Sequence, residues 1–200
     1  MDDVLAQLER SRQLGFLGPG PVVDHVLHAG GFLDALAGVD GRVIDLGSGG
    51  GVPGLVIAAA RRELEVVLLE AMGKRCDFLR AAAADLALSN ITVVQERAEL
   101  AGRGALRGSA EAVVARGFGP PAVTAECAAP LLSVGGLLAV SEPPEAAGED
   151  RWPSEPLAAL GLEPRVRRPG PPAIQMLQQV VPCPARFPRR VGIPAKRPLF

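Results

Sequence analysis

Residues 45–54 read Asp-Leu-Gly-Ser-Gly-Gly-Gly-Val-Pro-Gly and follow directly on a β-branched run, RVIDL at 42–46. Glycines let the backbone take positive φ and let a ligand lie against the main chain. A helix start behind them offers unpaired N–H groups. Two ligand classes use such a turn. A dinucleotide site wants G-x-G-x-x-G with its pyrophosphate on the helix start; Gly47 and Gly49 fit, but Val52 stands in the third place. The order fits D-x-G-x-G-x-G instead, with Asp45 ahead of the first glycine. A carboxylate there repels a pyrophosphate and suits a ligand with ammonium and sulfonium groups, as in S-adenosylmethionine. A Walker-type phosphate loop is excluded, because no G-K-[ST] closes this turn. Glu70 ends the next apolar run, EVVLLE. An acid about 20 residues past the glycines accepts the ribose hydroxyls of an adenosine, whether of NAD or of S-adenosylmethionine.

These residues need a scaffold, and the periodicity supplies one. Short apolar runs at 42–46, 65–70, 91–95, 111–116 and 136–141 read as buried strands. They alternate with helical spacing at 52–61, 74–88 and 121–132, and two further helices precede them at 1–12 and 22–36, the second interrupted by Gly30-Gly31. Pro53 falls in the first turn of its helix, where a missing N–H costs little. Two last strands, 162–168 and 174–181, are joined by the turn PGPP, short enough for an antiparallel pair. Strand–helix alternation with uniformly apolar strands predicts an α/β fold with a mostly parallel, seven-stranded sheet covered on both faces, carrying a C-terminal antiparallel strand pair. Chemistry then belongs at the carboxyl ends of the strands, in loops 46–53, 70–74, 95–99, 116–121 and 141–153. The stretch 142–156 reads as a loop rich in Pro, Gly and Glu, with Trp152 on its surface. The expected organisation is an N-terminal helical segment (1–41), a central domain (42–182) and a basic, proline-rich tail (183–200).

Composition narrows the function classes. The chain has 200 residues, 48% hydrophobic and 22% charged, enough for one domain with a sizeable core. No run of about 18 uncharged apolar residues could span a membrane, and MDDVLAQLER lacks the features of a signal peptide. Cys76, Cys127 and Cys183 show neither metal nor redox spacing, so no metal site is expected. Free thiols suit a cytoplasmic protein. The net charge is -1, yet residues 165–200 hold eight of the 21 basic side chains and none of the 22 acidic ones. That asymmetry points to a polyanionic partner for the basic end or to a solvated tail.

Four segments carry a resemblance. IDLGSGGGVPGLVIA (44–58), LLEAMGKRCDFLRAAAADLALSNITVVQERAE (68–99), VVARGF (113–118) and RFPRRVGIPAKRPLF (186–200) resemble the RsmG (GidB) family of bacterial small-subunit rRNA guanine-N7 methyltransferases. The resemblance implies a class I S-adenosylmethionine-dependent methyltransferase, Rossmann-like in fold. It places donor contacts on Gly47 and Val52, on Ala98 and Glu99 after the third strand, and on Arg116 after the fourth. It implies rRNA or the small ribosomal subunit as partner, with Arg186, Arg189, Arg190, Lys196 and Arg197 as the RNA-facing cations. The chain departs from the family pattern in places. Only 41 residues precede the first strand. Asp24-His25-Val26-Leu27-His28-Ala29 stands where the family has R-H-x-x-D-S, and Ser141-Glu142 where it has Lys-Gly.

The implied chemistry asks little of side chains. Guanine N7 has an in-plane lone pair and no proton, so attack on a sulfonium methyl needs alignment and no general base. No catalytic residue is therefore assigned. His25 and His28 read as helix-face residues and Cys76 as packed. The aromatics near the site or near basic residues are Phe118, Phe187 and Phe200. Two other readings fit the same residues: a methyltransferase of this fold acting on a small metabolite, and a non-catalytic module that binds the ribosome.

Overall fold

The computed structural model describes residues 1–143 and 151–200; part of the loop expected at 142–156 and most of the candidate loop 141–153 lie outside the described residues. Seven strands form one sheet: β1 (Arg42–Leu46), β2 (Glu65–Glu70), β3 (Ile91–Gln95), β4 (Ala110–Ala115), β5 (Leu132–Glu142), β6 (Leu162–Arg168) and β7 (Ala173–Gln179). Their order is β3-β2-β1-β4-β5-β7-β6. The first five are parallel, and β7 runs antiparallel to both β5 and β6. Strand order reverses between β1 and β4, which is where an open α/β sheet leaves a crevice for a ligand.

Successive side chains of a strand point to opposite faces, and each face has its own core. Val43, Val66, Leu68 and Val114 join a cluster with Leu8, Phe32, Leu55 and Leu79. These come from helices α1 (Asp2–Gln13), α2 (Val22–Ala35), α3 (Gly54–Ala60) and α4 (Gly73–Asp85). Ile44, Leu46, Val67, Leu69 and Val113 face the other way, toward Leu131, Leu157 and Leu160. That layer is built from α5 (Ala98–Ala101), α6 (Pro121–Ala128), α7 (Ser154–Ala158) and the C-terminal α8 (Ile193–Lys196). The helices around 1–41 pack into the first core, so this segment is continuous with the sheet's packing.

Several boundaries shift for identifiable reasons. The helix expected at 121–132 ends at Ala128 and passes through a 3-10 turn at Ala129–Leu131, because Pro130 has no N–H to continue it. β5 therefore begins at Leu132, before the expected 136, and its pairing with β4 shifts register between Ala110 and Ala112. α2 runs unbroken through Gly30-Gly31. The one-turn helices α5, α7 and α8 are too short to show a helical period. Trp152, expected on the surface, is 7% exposed and belongs to the second core. That is a correction: the neighbouring polar residues concealed an anchoring aromatic.

Candidate functional site

A cavity of about 320 Å³ opens at the carboxyl ends of β1–β4. Its walls include Gly47 after β1, Glu70 ending β2, Ala98 and Glu99 after β3, and Phe118 after β4. The loop predicted from the glycines thus meets three other strand ends around one hollow.

The floor is a glycine turn braced by two carboxylates. Gly47 sits at φ +72°, and a Cβ there would come within 2.6 Å of the Phe118 ring. Only glycine allows both the left-handed backbone and the aromatic lying against it. Glu70, 6% exposed, accepts the Gly49 N–H at 2.9 Å on one carboxylate oxygen and the Met72 N–H at 2.8 Å on the other. Arg75 lies 3.8 Å away. An ionised carboxylate has about four acceptor positions; two backbone donors fix its plane and leave acceptor capacity for a diol.

Asp45 departs from the expectation that it faces a cationic ligand. Its side chain falls on the same face as Val43, beneath α3, and is 1% exposed. It accepts the Gly54 N–H at 3.0 Å, the first residue of that helix. Burial pushes its carboxyl up to about 7, opposed by the bonds from Ser48 and Gly54. Asp45 therefore pins the start of α3 and takes no part in the cavity wall. Gly49 and Val52 also stand off the cavity: Gly49 acts through its N–H on Glu70, and Val52 packs into the first core. Of the residues expected to touch the donor, Gly47, Glu70, Ala98 and Glu99 line the cavity.

Arg116 lies just beyond the wall, on the face occupied by α2. Its guanidinium donates to His25 Nδ1. His28, one turn further along α2, places Nε2 2.9 Å from Ser141 Oγ. Burial first, and then the Arg116 charge, lower both imidazoles, His28 down to about 4. At neutral pH this corner holds one guanidinium and two uncharged rings. The signal in the sequence was the three-residue spacing of the histidines, which puts them on one helix face.

The C-terminal residues complete the cavity, which sequence reasoning did not foresee. Gly192 and Ala195 line it, and the Gly192 N–H donates to Glu99 Oε1 at 2.9 Å. Glu126, fully buried, accepts the Arg189 backbone N–H at 2.8 Å and its guanidinium at 2.6 Å. Arg107 donates to the carbonyls of Cys183, Pro184 and Phe187, and Arg103 to that of Pro188. Of the five basic residues expected to face RNA, Arg189 is thus committed to an internal ion pair. Arg186, Arg190, Lys196 and Arg197 are exposed, with the Arg186 guanidinium over the Phe187 ring at 4.9 Å.

Comparison with known proteins agrees with this geometry. Residues 22–144 match the GidB family, described as rRNA small subunit methyltransferase G. A ribosomal RNA small subunit methyltransferase G of Chloroflexus aggregans is 39% identical, over 79% of this chain and 69% of that protein. The protein of the same name from Rubrobacter xylanophilus is 36% identical, over 98% of this chain and 80% of that one. Among solved structures, a variant of the 16S rRNA (adenine(1408)-N(1))-methyltransferase of Catenulisporales acidiphilia superposes with a TM-score of 0.58 at 20% identity, covering 78% of this chain and 93% of that one. That likeness speaks for the fold.

Proposed function

The chain belongs to the GidB family of rRNA small subunit methyltransferases G and is an S-adenosylmethionine-dependent rRNA methyltransferase; on that premise we propose that it methylates N7 of a guanosine in 16S rRNA, with the donor in the cavity at the ends of β1–β4. The observation that carries the donor assignment is Glu70, oriented by the Gly49 and Met72 N–H groups with acceptor capacity left toward the cavity. That arrangement fits the ribose diol of an adenosine. Gly47 leaves room for the donor's chain against bare backbone, and Ala98 and Glu99 stand where an adenine would lie. Bound S-adenosylmethionine supplies an activated methyl group on a sulfonium.

The chain's own residues then have three tasks. The glycine turn and Glu70 orient the donor. The C-terminal segment supplies part of the cavity wall through Gly192 and Ala195. The Arg116–His25–His28 corner borders the acceptor side with a single charge, which matters because methylation at N7 leaves the base cationic. The N7 lone pair forms the new bond to carbon as the carbon–sulfur bond breaks onto sulfur, and no proton moves. Alignment of this kind contributes roughly 7–11 kcal/mol in intramolecular comparisons.

The test is twofold. Calorimetry should detect S-adenosylmethionine binding to the purified chain and a marked weakening of it in Glu70→Ala. Mapping N7-methylguanosine in 16S rRNA from cells with and without the gene should show one position lost. Unchanged modification would remove the acceptor assignment while leaving the donor site standing.

A further inference from the structure

The segment 183–197 has two faces with different chemistry. Its inner face lines one wall of the cavity through Gly192 and Ala195, and the Gly192 N–H bonds to Glu99. Its outer face borders a second hollow of about 370 Å³, lined by Arg103, Arg186, Arg189, Arg190 and Ile193. Arg189 neutralises Glu126 there. Arg103, Arg186 and Arg190 are exposed, and among the described residues no carboxylate pairs with any of them. Arg103 comes from the turn after α5, and its Nε is fixed by the Pro188 carbonyl at 2.8 Å, which leaves the rest of its guanidinium toward solvent. Three guanidiniums with no acid beside them repel one another unless an anion sits between them. Their planar donors match phosphate oxygens.

We propose that Arg103, Arg186 and Arg190 form a binding site for RNA backbone phosphate, and that its occupation holds segment 183–197 closed over the methyl donor. The inference rests on the rRNA methyltransferase reading and adds a coupling between its two substrates. Phosphate bridging Arg103, which belongs to the α5 side of the domain, to Arg186 and Arg190, which belong to the segment, ties the cover to the body of the fold. The cover then leaves the donor more slowly when RNA is present. Linkage makes the effect mutual: RNA tightens donor binding by the same factor as donor tightens RNA binding.

The experiment measures S-adenosylmethionine affinity of the full chain by calorimetry, alone and with a 16S rRNA transcript. It is repeated with Arg186→Gln/Arg190→Gln. The wild-type chain should bind the donor at least about fivefold more tightly with RNA, the lower end of ordinary coupling. The double variant should bind the donor alone as the wild type does and lose the RNA enhancement. Its RNA affinity should show a shallower salt dependence, by about 1.4–1.8 in the log–log slope for two lost contacts. Equal donor affinity with and without RNA overturns the coupling. An unchanged salt slope in the variant overturns the phosphate site. If inorganic tripolyphosphate tightens donor binding as much as the transcript does, the assignment to RNA falls. Absence of any donor binding to the wild type would instead count against the methyltransferase reading itself.

Discussion

The two halves of the cavity are held by opposite means. Its floor, residues 45–54 with Glu70, is built from acceptors and backbone donors of two neighbouring strand ends, β1 and β2. Asp45 bonds Gly54, and Glu70 bonds Gly49 and Met72. Its cover, residues 183–197, is fastened by side chains from distant parts of the chain: Glu99, Arg107 and Glu126. The floor is part of the sheet and can open only if the sheet does. The cover is held by those polar bonds and by the core side chain Phe187, which is 6% exposed and packs in the second cluster, so it has fewer ties to break than the sheet. Rigidity where the donor is oriented and release where it enters and leaves is a division of labour suited to an enzyme that exchanges its cosubstrate every turnover.

The sharpest way to break that contrast is Arg189→Ala. It leaves Glu126 buried without its cation, and truncating one partner of a buried pair costs about 3 kcal/mol or more. A lower denaturation midpoint is expected, with faster proteolysis within 183–200. If the segment resists protease as before, the ion pair does not hold the cover. Glu70→Ala is next. Losing a hydrogen bond to a charged group costs about 2 kcal/mol, so S-adenosylmethionine affinity should drop about thirtyfold. A fall of less than threefold would place the ribose elsewhere. Gly47→Ala is smaller: about 1 kcal/mol for an alanine in the left-handed region, plus crowding against Phe118. Combining it with Phe118→Ala should recover the crowding part in a double-mutant cycle, and strict additivity would show that the ring does not press on residue 47.

A separate test uses pH. The Asp45 carboxyl is raised by burial to about 7 in the folded chain from 3.8. The folded state therefore holds this proton more tightly than the unfolded state. The stability it contributes is full below about pH 4 and is lost as pH rises through about 7. His28, lowered to about 4, acts oppositely, and its contribution is lost as pH falls from about 6.5 toward 4. Asp45→Asn keeps an oxygen for the Gly54 N–H and removes only the first slope. Urea denaturation at pH 5 and pH 8 should show the variant gaining on the wild type at the higher pH. Parallel curves would mean that Asp45 keeps an ordinary carboxyl.

The same contrast explains what the sequence could disclose. The first five strands and β7 were legible as apolar runs bounded by glycine and charge, whereas β6, with four charged residues, was legible through the PGPP turn that pairs it with β7. Glu70 was legible as an acid at a strand end. Asp45 was misjudged although its face was implied: it follows Val43 by two residues and so points beneath α3, away from the ligand. Trp152 and the covering segment were illegible for another reason. Both depend on partners far along the chain, and neither a one-turn helix nor a Glu126–Arg189 pair leaves a periodic trace. The histidines of α2 fall between, their shared face visible but the arginine beside them supplied by the loop after β4.

Trp152 has a practical consequence. The chain contains one tryptophan and no tyrosine, so its ultraviolet emission comes from a single indole buried among Leu157, Leu160 and their neighbours. Light from that ring reports on the α5–α8 layer and is silent about the glycine turn. Fluorescence-monitored unfolding therefore follows one side of the sheet, and a second optical label beside α3 would be needed to see whether both sides let go together.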